Sequence, residues 1–224
     1  MPEADKRAGA RIVEHACMIT HTDQQRIWDE EHKRPTVLLQ MDVSDPSSGV
    51  VLFWEWLKEH AQREHYSGIE MGCGKGRNCI WLSKQGVTMT GFDFSPAAIK
   101  EAKNRAQSAG VEQRVTFLVQ DATLHWPFKD NEFDFGIDCF GSTDIETSAG
   151  RAIARDEMIR VLRPGGYLFT YLLSTDDEFH KEMISRSSAH EQNAFLHSTG
   201  KFEKAFDRAE LNDFYGMLKL VEER

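Results

Sequence analysis

A chain of 224 residues, 40% hydrophobic and 28% charged, is long enough for one substantial α/β core with a small appendage and too short for two independent catalytic domains. Its formal charge of -9 repels a phosphate backbone, and no stripe of lysine and arginine interleaved with aromatics marks a nucleic-acid surface, so no nucleic-acid partner is expected. The longest apolar run near the N-terminus, Val50 to Trp54, is far too short to span a bilayer and no basic-then-apolar leader opens the chain, so the protein reads as cytoplasmic, with no membrane partner.

Residues 1 to 40 read as a polar N-terminal arm or lid, irregular to about residue 35, with Ile12, Val13 and Ile27-Trp28 as apolar anchors. Residues 41 to 224 read as a single domain. After the turn cluster Asp45-Pro46-Ser47-Ser48-Gly49, apolar side chains at Val51, Trp54, Leu57 and Ala61 follow at helical spacing, which predicts an amphipathic helix from Val50 to Arg63. Ser67 to Met71 is a first strand ending at a glycine turn. The helix behind it runs from Gly76 to Lys84 and stops at Gly86, a natural C′ glycine. Val87 to Asp93 is a second strand, and Ser95 with Pro96 supplies the N-cap and first-turn proline of a helix closing at Gly110. Val115 to Gln120 and Phe133 to Asp138 are strands three and four, and a helix from Ala152 to Leu162 ends at Arg163-Pro164-Gly165-Gly166. Tyr167 to Leu173 is a fifth strand, apolar enough to be covered on both faces. Residues 174 to 200, polar and rich in His and Ser, form an insertion over the ligand crevice. Phe202 to Phe206, Asp207 to Tyr215 and Met217 to Val221 read as strand, helix and last strand. Cys17, Cys73, Cys79 and Cys139 lack C-x-x-C spacing, so neither a zinc knuckle nor a disulfide framework is expected.

Strands alternating with helices imply a doubly wound parallel sheet with right-handed crossovers and a crevice at the carboxyl ends of the strands. Glu70-Met71-Gly72-Cys73-Gly74-Lys75-Gly76 falls at such an end. Its alternating glycines permit positive φ and close approach of a ligand to backbone amides at a helix N-terminus. The dinucleotide fingerprint G-x-G-x-x-G would need glycine at position 77, where Arg77 stands, so a dehydrogenase ranks last. Asp93, at the tip of the second strand, can accept two hydrogen bonds from a ribose diol; the alternative, a helix cap, is a role that Ser95 already fills. Asp121 can accept from an adenine amine while the Ala122 amide donates to a ring nitrogen. Asp138 marks a fourth strand end beside the same crevice.

The glycine turn, Gly91-Phe92-Asp93-Phe94-Ser95, Gln120-Asp121-Ala122, the Pro127 to Asp134 loop and Arg160-Val161-Leu162-Arg163-Pro164-Gly165-Gly166 together resemble the class I S-adenosylmethionine-dependent methyltransferases. The resemblance covers about residues 65 to 174 closely and 200 to 221 loosely. It implies a Rossmann-like, mostly parallel seven-stranded sheet with helices on both faces, closed by an antiparallel hairpin at one edge. It also implies S-adenosyl-L-methionine as cofactor, held by Glu70, Gly72, Cys73, Gly74, Gly76, Arg77, Asp93, Phe94, Asp121, Ala122, Asp138 and Trp28. Arg77 either holds the cofactor carboxylate or solvates a helix face, and Glu70 orients the methionine ammonium or bonds the turn's own amides. Trp126 is the favoured adenine neighbour, and Phe140 falls in a substrate-pocket segment.

The implied activity is methyl transfer to a small-molecule acceptor by in-line displacement, in which positioning supplies much of the rate and a base is needed only for a protonated nucleophile. Candidate bases are His180, His190, His197, His125 and His32. The Asp-Asn metal set of catechol-type enzymes has no counterpart, so no metal is expected. A protein methyltransferase, or a cofactor-binding regulator without turnover, are the alternative functions. The acceptor and the oligomeric state are not encoded in any legible segment.

Overall fold

The computed structural model describes residues 21–34, 43–61 and 63–223. The anchors Ile12 and Val13, and Cys17, lie outside the described residues. In chain order the elements are α1 (His21–Lys33), α2 (Ser48–His60), β1 (Ser67–Met71), α3 (Arg77–Lys84), β2 (Thr88–Asp93), α4 (Pro96–Ser108), β3 (Val115–Val119) and β4 (Phe133–Cys139). A 3-10 turn (Ser142–Asp144) then leads to α5 (Ser148–Val161), β5 (Leu162–Tyr171), α6 (Glu178–Arg186), β6 (Ala194–Leu196), β7 (Phe202–Lys204) and α7 (Arg208–Phe214).

Five strands form one parallel sheet in the order β3-β2-β1-β4-β5. The chain winds outward through β1, β2 and β3, then returns to lay β4 on the other side of β1. The order therefore reverses between β1 and β4, and a crevice opens where the loops leaving these two strands part in opposite directions. Two apolar layers cover the sheet. Val50, Phe53, Trp54 and Leu57 of α2 pack with Ile80 and Leu82 of α3 and Ile99 of α4 against Met89, Phe117, Phe135 and Ile137. On the opposite face Ala154, Met158 and Val161 of α5 join Trp126 against Ile69, Met71 and Phe92. Local chemistry sets the helix starts. Ser95 Oγ accepts from Ala98 N at the head of α4, Thr147 accepts from Gly150 N at the head of α5, and Asp177 accepts from two amides at the head of α6.

Four expectations are corrected. The main sheet has five strands, not seven. Phe202–Lys204 pairs antiparallel with Ala194–Leu196 as a separate hairpin, and Met217 to Val221 forms no strand, its Met217, Leu220 and Val221 being exposed. The hairpin closes through a short turn in which His197 N donates to Lys201 O at 2.9 Å and Gly200 takes φ +83. Closing so short a loop costs less chain entropy than pairing either strand with the distant sheet edge. β5 is consequently the edge strand, and its Tyr167–Thr170 stretch is only half-buried instead of covered on both faces. The arm is likewise not irregular across its described part, since His21–Lys33 is a helix. Gln24, Trp28 and His32, spaced by four, form its buried stripe. A stripe of Gln, Trp and His carries little of the aliphatic periodicity by which helices are read.

Candidate functional site

At the end of β1 the chain makes three positive-φ glycines in alternation: Gly72 (φ +64), Gly74 (φ +53) and Gly76 (φ +79). Cys73 N donates to Phe92 O at 3.0 Å, which pins the turn to β2. The first and third glycines have different reasons. A Cβ on Gly72 would stand 3.1 Å from Gly141 Cα, so the turn after β1 and the turn after β4 meet backbone to backbone. A Cβ on Gly76 would strike Phe117 Cζ at 2.5 Å, so this glycine lets α3 pack under the sheet. Gly76 does not line the cavity.

The turn opens on a cavity of about 370 Å³ at the carboxyl ends of β1, β2 and β4. Glu70, Gly72, Cys73, Gly74, Arg77, Asp93, Phe94, Asp121, Ala122 and Trp28 all line it. Asp93 is 6% exposed; its Oδ2 accepts from Gly74 N at 2.9 Å and its Oδ1 from Ser95 N at 2.8 Å. Each oxygen keeps a second lone pair for a ligand. Burial pushes its carboxyl upward against the opposing influence of His32 and the two amides. Asp121 folds into its own turn, with Thr123 N and Oγ1 donating to Oδ1 at 2.8 and 2.7 Å. Asp138 does not line the cavity. Its carboxylate faces away into the loop after β4, accepting from Ser142 N at 2.9 Å and Ser142 Oγ at 2.5 Å, and so shapes the turn that carries Phe140 and Asp144. Phe140 lines the cavity with φ +68, a conformation rare for an aromatic residue, held by its N–H to Tyr171 O at 2.8 Å.

Glu70 ends β1 beneath the turn, with Asn78 Nδ2 donating to Oε1 at 2.7 Å and Cys79 Sγ donating to Oε2 at 3.0 Å. Burial raises its carboxyl to about 7, the two side-chain donors and Arg77 pulling the other way. Because the folded value lies above the unfolded one, the native state holds the proton through the window from about 4.5 to 7 and stability falls as pH rises across it. Two and a half units correspond to roughly 3 kcal/mol. Urea unfolding of the ligand-free chain between pH 5 and 8 is expected to show this decline, and Glu70→Gln is expected to flatten it. Equal slopes in the two proteins would show that Glu70 ionises freely.

Of the five candidate histidines only His32 lines the cavity. Its Cε1 is 3.5 Å from where a Gly74 Cβ would stand, and burial lowers its pKa although Asp93 works against that. The others serve elsewhere. The exposed His125 ring pairs with Glu157, His180 Nδ1 donates to Ser174 O at 3.0 Å, His190 is exposed, and His197 Nε2 bonds Glu203 Oε2 at 2.8 Å. Trp126 is also corrected. It is fully buried, 4.6 Å from Phe92 ring to ring, with Nε1 donating to Ala122 O at 3.0 Å, so it supports the Asp121–Ala122 turn from the core side and does not face a ligand.

The structure adds residues that no motif announced. Gln24 and Asn78 line the cavity, as does Asp144 in the 3-10 turn. Helix α1 roofs it: Gln24 Nε2 donates to Gly200 O at 3.0 Å and its Oε1 accepts from Phe202 N at 3.1 Å. On the neighbouring face Gln25 Nε2 donates to Phe94 O at 2.8 Å, and Asp29 accepts from Ser95 Oγ and Ala97 N at 2.7 and 2.9 Å. The four-residue spacing of Gln24, Trp28 and His32 was the one available signal. Among the described residues no group of three His, Cys, Asp or Glu side chains could hold a metal ion, and no helix is long and apolar enough to cross a membrane.

Residues 69–166 match the family model described as a methyltransferase domain. The chain is 37% identical over 101 residues to methyltransferase GfsG of Streptomyces halstedii, covering 45% of this chain and 35% of that one. It is 38% identical over 100 residues to norajmaline N-methyltransferase of Rauvolfia serpentina, covering 43% and 32% respectively, so it spans about a third of the length of these two relatives. A SAM-dependent methyltransferase from Methanosarcina mazei shares the fold with a TM-score of 0.65 at 24% identity, covering 72% of this chain and 82% of the other. Residues 69–166 thus match a methyltransferase domain, and the sheet that carries them has the fold of a SAM-dependent methyltransferase.

Proposed function

We propose that the chain transfers a methyl group from S-adenosyl-L-methionine to a small-molecule acceptor. The observation that carries this is the turn at Gly72, where a Cβ would stand 3.1 Å from Gly141 Cα, opening on a cavity lined by Asp93 and by the Asp121–Ala122 turn. The residues fit the donor. Asp93 would hold the ribose hydroxyls, Asp121 with the Ala122 amide the adenine edge, and Glu70 with Arg77 the charged methionine end. The donor supplies a methyl group on a cationic sulfonium. What the protein contributes is alignment and exclusion of water: α1 covers the cavity, and Phe140 with Trp28 presents apolar surface beside it.

A cavity of about 370 Å³ beneath α1 favours a small acceptor over a protein side chain, and the norajmaline N-methyltransferase similarity points the same way. Calorimetry with S-adenosylhomocysteine on the unmodified chain tests the reading. Binding in the micromolar range is expected, and competition by a nicotinamide dinucleotide in place of the nucleoside thioether would overturn it.

A further inference from the structure

One wall of the cavity is the Ser142–Asp144 turn, which packs on β7. Asp144 lines the cavity beside Ile145 and Glu146, and among the described residues no donor is hydrogen-bonded to its carboxylate. The groups that act on it are three carboxylates, Glu203, Asp93 and Asp138, and one cation, Lys201. That cation is already committed. Lys201 is fully buried, ion-paired with Glu203 Oε1, with its Nζ 4.7 Å from the centre of the Trp28 ring; Glu203 also takes the His197 ring. Burial and then Glu203 push the Asp144 carboxyl well above the usual range.

A second observation comes from the roof. Among the described residues, the indole Nε1 of Trp28 and Nδ1 of His32 are both buried without a hydrogen-bond partner, on two residues that line this same cavity. Orphaned buried polar atoms are rare in folded proteins and mark places where a ligand completes the bonding. The wall thus offers a carboxylate without donors, an N–H without an acceptor, and a surplus of negative charge. A carboxylate or phosphate acceptor would add like charge. A hydroxyl would bring a donor but no charge to answer the surrounding carboxylates. A protonated amine brings the donor and the charge, and the indole N–H is left for an acceptor elsewhere on the same molecule.

We propose that the acceptor is a small amine and that Asp144 is the catalytic residue that binds its ammonium form and takes its proton; this rests on the methyltransferase reading above. An oxygen of Asp144 accepts a proton from the ammonium, which leaves a neutral amine with a free lone pair. That nitrogen bonds to the methyl carbon of the sulfonium donor while the carbon–sulfur bond breaks, its electron pair remaining on sulfur as a neutral thioether. The product departs as an N-methylammonium, and Asp144 returns its proton to solvent. A carboxyl held high by burial is a stronger base toward the ammonium than a solvated one.

The unmodified chain, Asp144→Asn and Asp144→Glu are titrated with S-adenosylhomocysteine by calorimetry. Each saturated protein is then titrated with phenethylamine and with phenethyl alcohol, and turnover of the same pair and of further matched amines and alcohols is followed as S-adenosylhomocysteine release. Asp144→Asn is expected to keep S-adenosylhomocysteine affinity within about threefold, since the carboxylates assigned to the nucleoside are untouched. It is expected to bind the amine at least about tenfold more weakly and to lose about 10² to 10⁴ in kcat. Asp144→Glu should recover part of both, and the unmodified chain should turn over amines in preference to their alcohols. Turnover of alcohols over amines, release with no amine in the panel, or an Asp144→Asn protein with unchanged amine affinity and kcat would each overturn the proposal. Failure of the unmodified chain to bind S-adenosylhomocysteine would instead remove the methyltransferase reading, so the two failures are distinguishable.

Discussion

Gly72→Val is expected to weaken S-adenosylhomocysteine binding by more than about a hundredfold while leaving a cooperative unfolding transition. The backbone at this position has φ +64, where a β-branched residue is strained at a cost of about 1 to 3 kcal/mol. Its Cβ alone would stand 3.1 Å from Gly141 Cα, before the two further methyl groups are added. The turn after β1 and the turn after β4 must therefore separate, and the Gly74 amide would move away from Asp93 as they do. Damage concentrates in the cradle because the core beneath, Ile69 and Met71 on one face and Phe135 and Ile137 on the other, keeps its packing. Calorimetry gives the affinity, and far-UV circular dichroism with urea unfolding gives the fold. Native affinity in the folded variant would mean that no ligand approaches this turn.

Lys201→Met should cost about 3 to 5 kcal/mol of folding stability, because removing one partner leaves the other charge buried and uncompensated. Glu203 is 8% exposed and would retain only His197, whose ring is neutral unless protonated. In the native chain the His197 and Lys201 contacts hold the Glu203 carboxyl below its ordinary range despite burial. A depressed carboxyl contributes stability above its unfolded pKa and loses it as pH falls through the folded one. The deficit of Lys201→Met should thus be greatest near neutrality and shrink in acid, where Glu203 is protonated in either state. Urea midpoints measured across pH decide this. Adding Glu203→Gln to Lys201→Met should restore part of the loss, since the stranded charge is gone. A single-variant loss below about 1 kcal/mol would show that the pair is hydrated and contributes little.

The contrast between these two sites explains what sequence could and could not reveal. Gly72, Asp93 and Asp121 were legible because each answers to backbone geometry at a strand end: a positive φ, a strand tip, a tight turn. Those demands leave fixed residue types at fixed spacing. Gly76 satisfied the same pattern for another reason, since its missing side chain makes room for Phe117 and not for a ligand. Asp138 and Trp126 were placed in the right loops with the wrong orientation, one turned to Ser142 and the other sunk against Phe92. Strand position sets where a residue is, but side-chain direction is decided by neighbours 4 to 31 residues away in sequence, such as Ser142 for Asp138 and Glu157 for the Trp126 amide. Phe202 to Phe206 was legible as a strand, but its pairing with Ala194–Leu196 and the buried charges Lys201 and Glu203 were not, for a related reason. Buried charges break the apolar alternation by which inward faces are recognised, and their pairing is visible only once both are in space.

Helix α1 fastens to both banks of the cleft: positions 25 and 29 hold the loop that starts α4, while position 24, on an adjoining face, holds the hairpin turn. A stiff rod stapled to two shores cannot tilt toward one without tearing from the other. The gap it spans is therefore a single dimension shared by whatever occupies either shore, and a change in the hairpin that shifts Gln24 must also be felt at Phe94, on the opposite shore, with no direct contact between them.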